Sequence, residues 1–383
     1  MRSERALIAL LVVGLASEAR GQNCPTRDYW LTEGWRSRAT EVRNGRASEL
    51  AVLEDYALTE VGTTSDDKRI RTDVVIIIQN GEMAYERYVR MYENSKLHIS
   101  WDMARSVTNV LTGIAAQQGA VQLDDSICKY IDQVADDHCA ITVHDLLDSA
   151  SGLEWTNARQ SDPAQADSMK AMLYGEGHTD VVRFVVDHPL RDSPGTAFND
   201  SVGDATLLAS VVDAAMRAHH GRDWPWATLF DPLGVATATI ERDLLDHPLG
   251  GTHFWATPDD YARLGLFILS DGCWAGQRYL PEGWLAASTA VQTPYKTRKV
   301  DPDLGLVAGR LWWVNRAVPE QGMSKPWPQL PDDTFAAIGR KGQSMVVIPS
   351  RDLLVLRYAD DGIAAQFDLQ KFVLLAMQVA EPL

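Results

Sequence analysis

The chain has 383 residues, 45% of them hydrophobic and 8% aromatic, enough apolar material for a sizeable core in one large domain or two ordinary ones. Its formal net charge of −16 argues against a nucleic-acid backbone or an anionic lipid surface as partner. That charge reads first as a source of solubility, with recognition of a cationic ligand as the alternative.

The chain opens on MRSERALIALLVVGLASEARGQN. Arg2 and Arg5 precede an apolar run from Ala6 to Ala16 and then small residues. The run is too short to span a bilayer and matches a secretory signal peptide over 1–21, cleaved after Ala19 or Gly21. An N-terminal core helix is the other reading. No later stretch is long and apolar enough to span a membrane. The expected location is therefore outside the cytoplasm, periplasmic or secreted. Cys24, Cys128, Cys139 and Cys273 lack any metal-ligand spacing and allow three pairings. Cys128–Cys139, flanking a polar turn, is the preferred pair, against free thiols.

In chain order, ASELAVLEDYAL has the spacing of one amphipathic helix. DVVIIIQNGEMAYERYV is two apolar runs around Asn80-Gly81, a hairpin signal that leaves Glu86 and Tyr88 on the second strand. The pattern turns helical from Trp101 to about Gly119. Asp124-Asp125 reads as a turn and helix start, not a carboxylate dyad. ITVHDLLDSASGL predicts a short helix ended by Gly152. Residues 155–195 read as loops with helical pieces, and Pro194-Gly195 shapes the loop that follows. DATLLASVVDAAMRAHHG predicts a helix with His219-His220 in its last turn and Gly221 closing it. TPDDYARLGLFILSDG predicts a helix capped by Thr257, with Pro258 at its first position and Gly272 beyond its end. TFAAIG, SMVVIP and LLVLRYA predict an antiparallel meander, and a last helix is expected from about Ala364 to Val379.

Strands near both ends and helices between them predict an α+β fold. One antiparallel sheet is formed by both chain ends and covered by the terminal helices, with a helical domain inserted. The expected division is 22–100 and 250–383 for the sheet domain and 101–249 for the helical domain.

SWDMARSVTNVLTGIA, QLDDSICKYI, ITVHDLLDSASGLEW, PGTAFNDSVGDATLL, FDPLGV and GRKGQSMVVIPSRDLLVLR follow VVIIIQNGEMAYERYV in an order similar to serine β-lactamase-like and penicillin-binding proteins. The chain most resembles class C β-lactamases, related esterases and 6-aminohexanoate-dimer hydrolases, over nearly all its mature length. The resemblance implies three catalytic motifs: a nucleophilic Ser with a Lys three residues on, a Tyr in FNYS, and a cationic or His-bearing strand. Here SWDMARS puts Asp102 and Arg105 at the Ser and Lys positions, FNDS puts Asp200 at the Tyr position, and GRKGQ puts Arg340 on the strand. A carboxylate has no proton to lose, and a guanidinium is always protonated, so neither performs the expected step. Asp102 and Arg105 are spaced for an i,i+3 charge pair. Trp101 and Trp155, as cleft or core aromatics, and Lys341 and Gly342, beside the strand motif, are the candidate ligand contacts.

Three functional readings follow. In the first, the cleft binds a small zwitterionic or peptide-like ligand without cutting it. In the second, the chain is an esterase, amidase or β-lactamase-like hydrolase with a relocated nucleophile, among Ser100, Ser106, Ser149, Ser151 and Ser201. Met103 and Asn109 stand three residues beyond Ser100 and Ser106, so neither serine has a base there. In the third, Trp312, Trp313 and Trp327 mark a partner surface, unless Trp312 and Trp313 end a strand and wall the cleft. Asp102 and Asp200 with His138, His144, His247 or His253 would offer metal ligands, but Arg105 and Arg340 neutralise both acids. No metal or cofactor is expected.

Overall fold

The structure, a computed structural model, describes residues 24–381 apart from 33, 64–65, 133, 158–166, 298–304 and 363. The segment read as a signal peptide lies outside the described residues. The first helices are α1 (Ala39–Gly45) and α2 (Ala47–Leu58), followed by strands β1 (Thr72–Gln79) and β2 (Glu82–Tyr88). Asn80 and Gly81 both take positive φ (54° and 77°), as the predicted tight hairpin requires. After β3 (His98–Ile99) comes a single 3₁₀ turn, Trp101–Met103, then α3 (Ala104–Gln117).

The segment that follows is helical: α4 (Val143–Leu147), α5 (Ser168–Tyr174), α6 (Val181–Val186) and α7 (Val202–His220). It leads through β4 (Thr239–Ile240) and β5 (Phe254–Ala256) to α8 (Pro258–Leu269). Strands β6 (Trp313–Val314), β7 (Phe335–Gly339), β8 (Gln343–Ile348) and β9 (Leu353–Ala359) precede the last helix, α9 (Leu369–Ala380).

The main sheet has six strands in the order β2-β1-β9-β8-β7-β6. Each neighbouring pair is antiparallel. The first two strands of the chain thus pair with its last strand, which is the both-ends sheet expected from the sequence. Both faces of the sheet are covered, so β1 reads as an unbroken apolar run rather than an alternating one. Val74, Ile76 and Ile78 join the core shared with α8 and the helical segment. Val75 and Ile77 join the core under α2 and α9, with Leu50, Leu53, Phe372 and Val373. A side chain at Gly265 on α8 would place its Cβ 2.5 Å from Leu354, so this glycine lets helix and sheet approach. A second, three-stranded sheet has β5 between β3 and β4.

Three predicted boundaries shift. The last helix starts at Leu369, capped by the Asp368 side chain, because Asp360, Gly362 and Ala364 are held back by backbone bonds to Arg71, Arg69 and Asp67. Helix α4 stops before Ser149, whose φ is +51°, and not at Gly152. The helical pattern from Trp101 begins as a 3₁₀ turn, since Trp101 itself has φ +49°. Both disulfides, Cys128–Cys139 and Cys24–Cys273, are formed. No helix among the described residues is long and apolar enough to cross a membrane.

Candidate active site

Asp102 sits in the 3₁₀ turn at the mouth of α3, and Arg105 lies three residues on, in the first turn of the helix. Arg105 Nη2 donates to Asp102 Oδ1 at 3.1 Å. Its other terminal nitrogen, Nη1, donates to Asp200, on the loop that leads into α7. One guanidinium therefore bridges two carboxylates from two elements. Burial disfavours the Arg105 charge, but the fields and hydrogen bonds of Asp200 and Asp102 outweigh it and hold the guanidinium above its ordinary pKa.

The second Asp102 oxygen accepts the Arg340 backbone N–H at 3.2 Å, and the Arg340 Nε lies 3.8 Å from it. This approach of β7 to the 3₁₀ turn needs a glycine at 339. A Cβ there would stand 2.2 Å from the Ser100 carbonyl oxygen and 3.3 Å from Asp102 N. Asp102, Arg105 and Asp200 line a cleft whose walls include Phe198, Leu311, Trp312 and Trp313. The four charged groups carry formal charges that cancel, so the floor is a neutral, interlocked network.

Residues 57–374 match the family model described as Beta-lactamase. The chain belongs to the β-lactamase family.

It is 20% identical to the 6-aminohexanoate-dimer hydrolase of Paenarthrobacter ureafaciens over 312 residues, 75% of this chain and 72% of that one. Among solved structures, a candidate 6-aminohexanoate-dimer hydrolase of Bacillus anthracis shares the fold with a TM-score of 0.64 at 18% identity, over 80% of this chain and 77% of that one. A β-lactamase/D-alanine carboxypeptidase of Pseudomonas syringae gives a TM-score of 0.58 at 14% identity, over 89% of this chain and all of that one (100%). These likenesses agree with the predicted α+β, transpeptidase-like architecture.

In similar β-lactamase-family hydrolases the floor positions hold Ser, Lys and Tyr. Here they hold an acid, a guanidinium and a second acid, and the geometry joins the three into one ion-pair network. The five serines considered as substitutes fall into different surroundings. Ser106 donates to the Leu311 carbonyl at 2.8 Å and Ser100 to the Trp101 carbonyl at 3.1 Å. Ser151 donates to the buried Asp204 carboxylate at 2.8 Å, and Ser201 caps α7. Ser149 lines the cleft in a left-handed backbone conformation, and its hydroxyl has no hydrogen-bond partner among the described residues.

The four candidate ligand contacts separate. Trp101 is half-buried beside His253. Trp155 is turned into the core against Phe184 and His188, where it has no access to a ligand; its indole donates to Asn157, whose amide holds the Asp200 carbonyl. Lys341 pairs with Asp360 at 2.9 Å. Gly342 faces the buried Arg357–Asp361 ion pair, which a Cβ would meet at 2.1 Å. Trp155 and Gly342 therefore support the site from behind.

Trp327, expected on an exposed patch, is 5% exposed in the core under α2 and α9, so it cannot mark a partner surface. Trp312 and Trp313 wall the cleft. Among the described residues, the group spaced to hold a metal ion is Asp180, Asp243 and His247, which shares no residue with the cleft. His144 is tied to Arg310, and His138 lies buried near Asp137. Phe198, Leu311 and Ile338 were missed as lining residues. Phe198 opens the FNDS motif and Ile338 directly precedes GRKGQ, and that placement was their only sequence signal.

Proposed function

We propose that this chain is an exported member of the β-lactamase family that has lost Ser–Lys–Tyr hydrolysis and binds a small zwitterionic or peptide-like ligand in its cleft. The observation that carries the reading is the closed floor. Asp102 puts a carboxyl where the nucleophile's hydroxyl would stand, and its oxygens accept Arg105 and the Arg340 amide. The base position holds a guanidinium. Loss of nucleophile and base together removes on the order of 10⁶-fold of the rate. The walls are apolar and aromatic, while Arg340, 38% exposed, and Asp200, 26% exposed, offer opposite charges to a ligand. One relative is named for hydrolysis of the 6-aminohexanoate dimer, which agrees with a peptide-like ligand. Two disulfides support an oxidising compartment.

The test is turnover of nitrocefin and p-nitrophenyl esters by the mature protein and by the triple variant Asp102→Ser, Arg105→Lys, Asp200→Tyr. The parent is expected to be silent and the variant to gain esterase activity. Clear turnover by the parent, abolished by Asp102→Asn, overturns the reading.

Ser149 favours a second reading, a hydrolase with a relocated nucleophile. Its unpartnered hydroxyl lines the cleft, and its strained backbone is a feature that clusters at functional sites. A fluorophosphonate probe that labels Ser149 selects this reading over the first.

A further inference from the structure

The outward face of the small sheet was not singled out by the motifs. Its register is specific. Ile99 pairs with Trp255 and Thr239 with the same residue from the other side. Beyond those pairs, Ser100 N donates to the Phe254 carbonyl and Glu241 N to the His253 carbonyl. Glu241, His253 and Trp101 therefore form one row across three chain segments. Strand side chains alternate, so Phe254 and Ile240 point the other way, into the core. The Trp101 and His253 rings meet edge to face at 5.8 Å. Tyr174, at the end of α5 and 65% exposed, brings a third ring to 6.5 Å from His253.

Two features set this row apart from an ordinary sheet surface. Trp101 holds φ +49°, a genuine outlier for a bulky side chain, which persists only where the surroundings fix it. His253 is 7% exposed, yet its Nδ1 has no hydrogen-bond partner among the described residues. Burial pushes the His253 imidazole down, against the pull of Glu241 and Asp102, which favours the neutral ring. The Glu241 carboxylate accepts the Trp255 indole N–H and is half-buried beside the rings. The nearby cation, Arg340, is turned toward Asp102. With Asp102 and Arg340 cancelling, Glu241 leaves the face one negative charge in excess.

We propose that the Glu241–His253–Trp101 row, with Tyr174 beside it, is a binding site for an organic ammonium group. The aromatic faces attract a cation through their quadrupoles, and Glu241 supplies the countercharge. A neutral imidazole adds an acceptor without repulsion. The site is independent of whether the neighbouring cleft hydrolyses anything.

The test uses choline and its uncharged isostere 3,3-dimethylbutan-1-ol as probes, followed by calorimetry and by the indole resonance of Trp101 in the intact mature protein. Choline is expected to bind saturably and shift that resonance, while the alcohol does not. Glu241→Gln is expected to weaken choline about tenfold. Tyr174→Ala, at an exposed position that does not threaten folding, is expected to weaken it several-fold. Equal shifts with the alcohol, an unchanged affinity in both variants, or no choline binding at all would each overturn the proposal.

Discussion

Arg105 is the residue on which the site turns. It is 13% exposed and bonds Asp102, 14% exposed, and Asp200, 26% exposed, so three charges share a largely dry space. Removing the cation alone leaves two carboxylates facing each other. Arg105→Ala is therefore expected to lose about 3 kcal/mol of stability in urea unfolding. Replacing all three partners together with Leu, Met and Leu is expected to lose less, because the one charge left unpaired, Arg340, is 38% exposed and is solvated by water. A second buried acid behaves differently. Asp204, 1% exposed, ties the Ser151 loop to α7, and burial pushes its carboxyl up to about 6. The folded state thus holds this proton more tightly than the unfolded chain does. Its contribution to stability is present below the unfolded value near 3.9 and is lost as pH rises through about 6. Asp204→Asn is expected to flatten the urea midpoint between those values. The motif residues were legible because the spacing within SWDMARS is local. The Arg105–Asp200 bond spans 95 residues, so no local spacing announces it, and only the family resemblance placed the two at one floor.

At the scale of elements, the site depends on a loop and a turn being pressed together. Gly339 closes β7 against the Ser100 carbonyl, an oxygen of the backbone that cannot swing aside. Gly339→Ala is expected to cost about 2 kcal/mol and lower the melting temperature. At Gly265 the contact is the far end of the Leu354 side chain, which can rotate, so Gly265→Ala is expected to cost less. The same distinction explains which elements could be read from sequence. Asn80-Gly81, the Thr257 cap and the meander announce themselves by local turn and cap chemistry, and they stand where expected. The early end of α4, the left-handed Trp101 and the delayed start of α9 are set by contacts with distant segments. Apolar periodicity carries no trace of those contacts. The small sheet was invisible for the same reason: its strands are two or three residues long and acquire their meaning only by pairing.

Over the whole molecule, a sheet built from both chain ends needs those ends held. Helices α2 and α9 do this by packing on one face, and Cys24–Cys273 does it covalently across a sequence separation of 249. Spacing alone pointed to Cys128–Cys139, whose separation is 11. A bridge between the chain start and the segment after α8 has no local signature. In the chain-entropy account, closing the long loop stabilises by about 5 kcal/mol and the short one by about 3 kcal/mol. Removing Cys24–Cys273 by paired Ser substitutions is thus expected to lower the urea midpoint more than removing Cys128–Cys139. Packing opposes that order: Leu31 is 1% exposed, and Trp30 meets Trp274 edge to face at 6.3 Å, so the same segment is also held without its disulfide. If those contacts dominate, the Cys24/Cys273 variant will unfold at nearly the parent midpoint, and the short loop will prove the stronger clasp. Unfolding the two double variants side by side under non-reducing conditions decides between chain entropy and packing as the anchor of this end of the molecule.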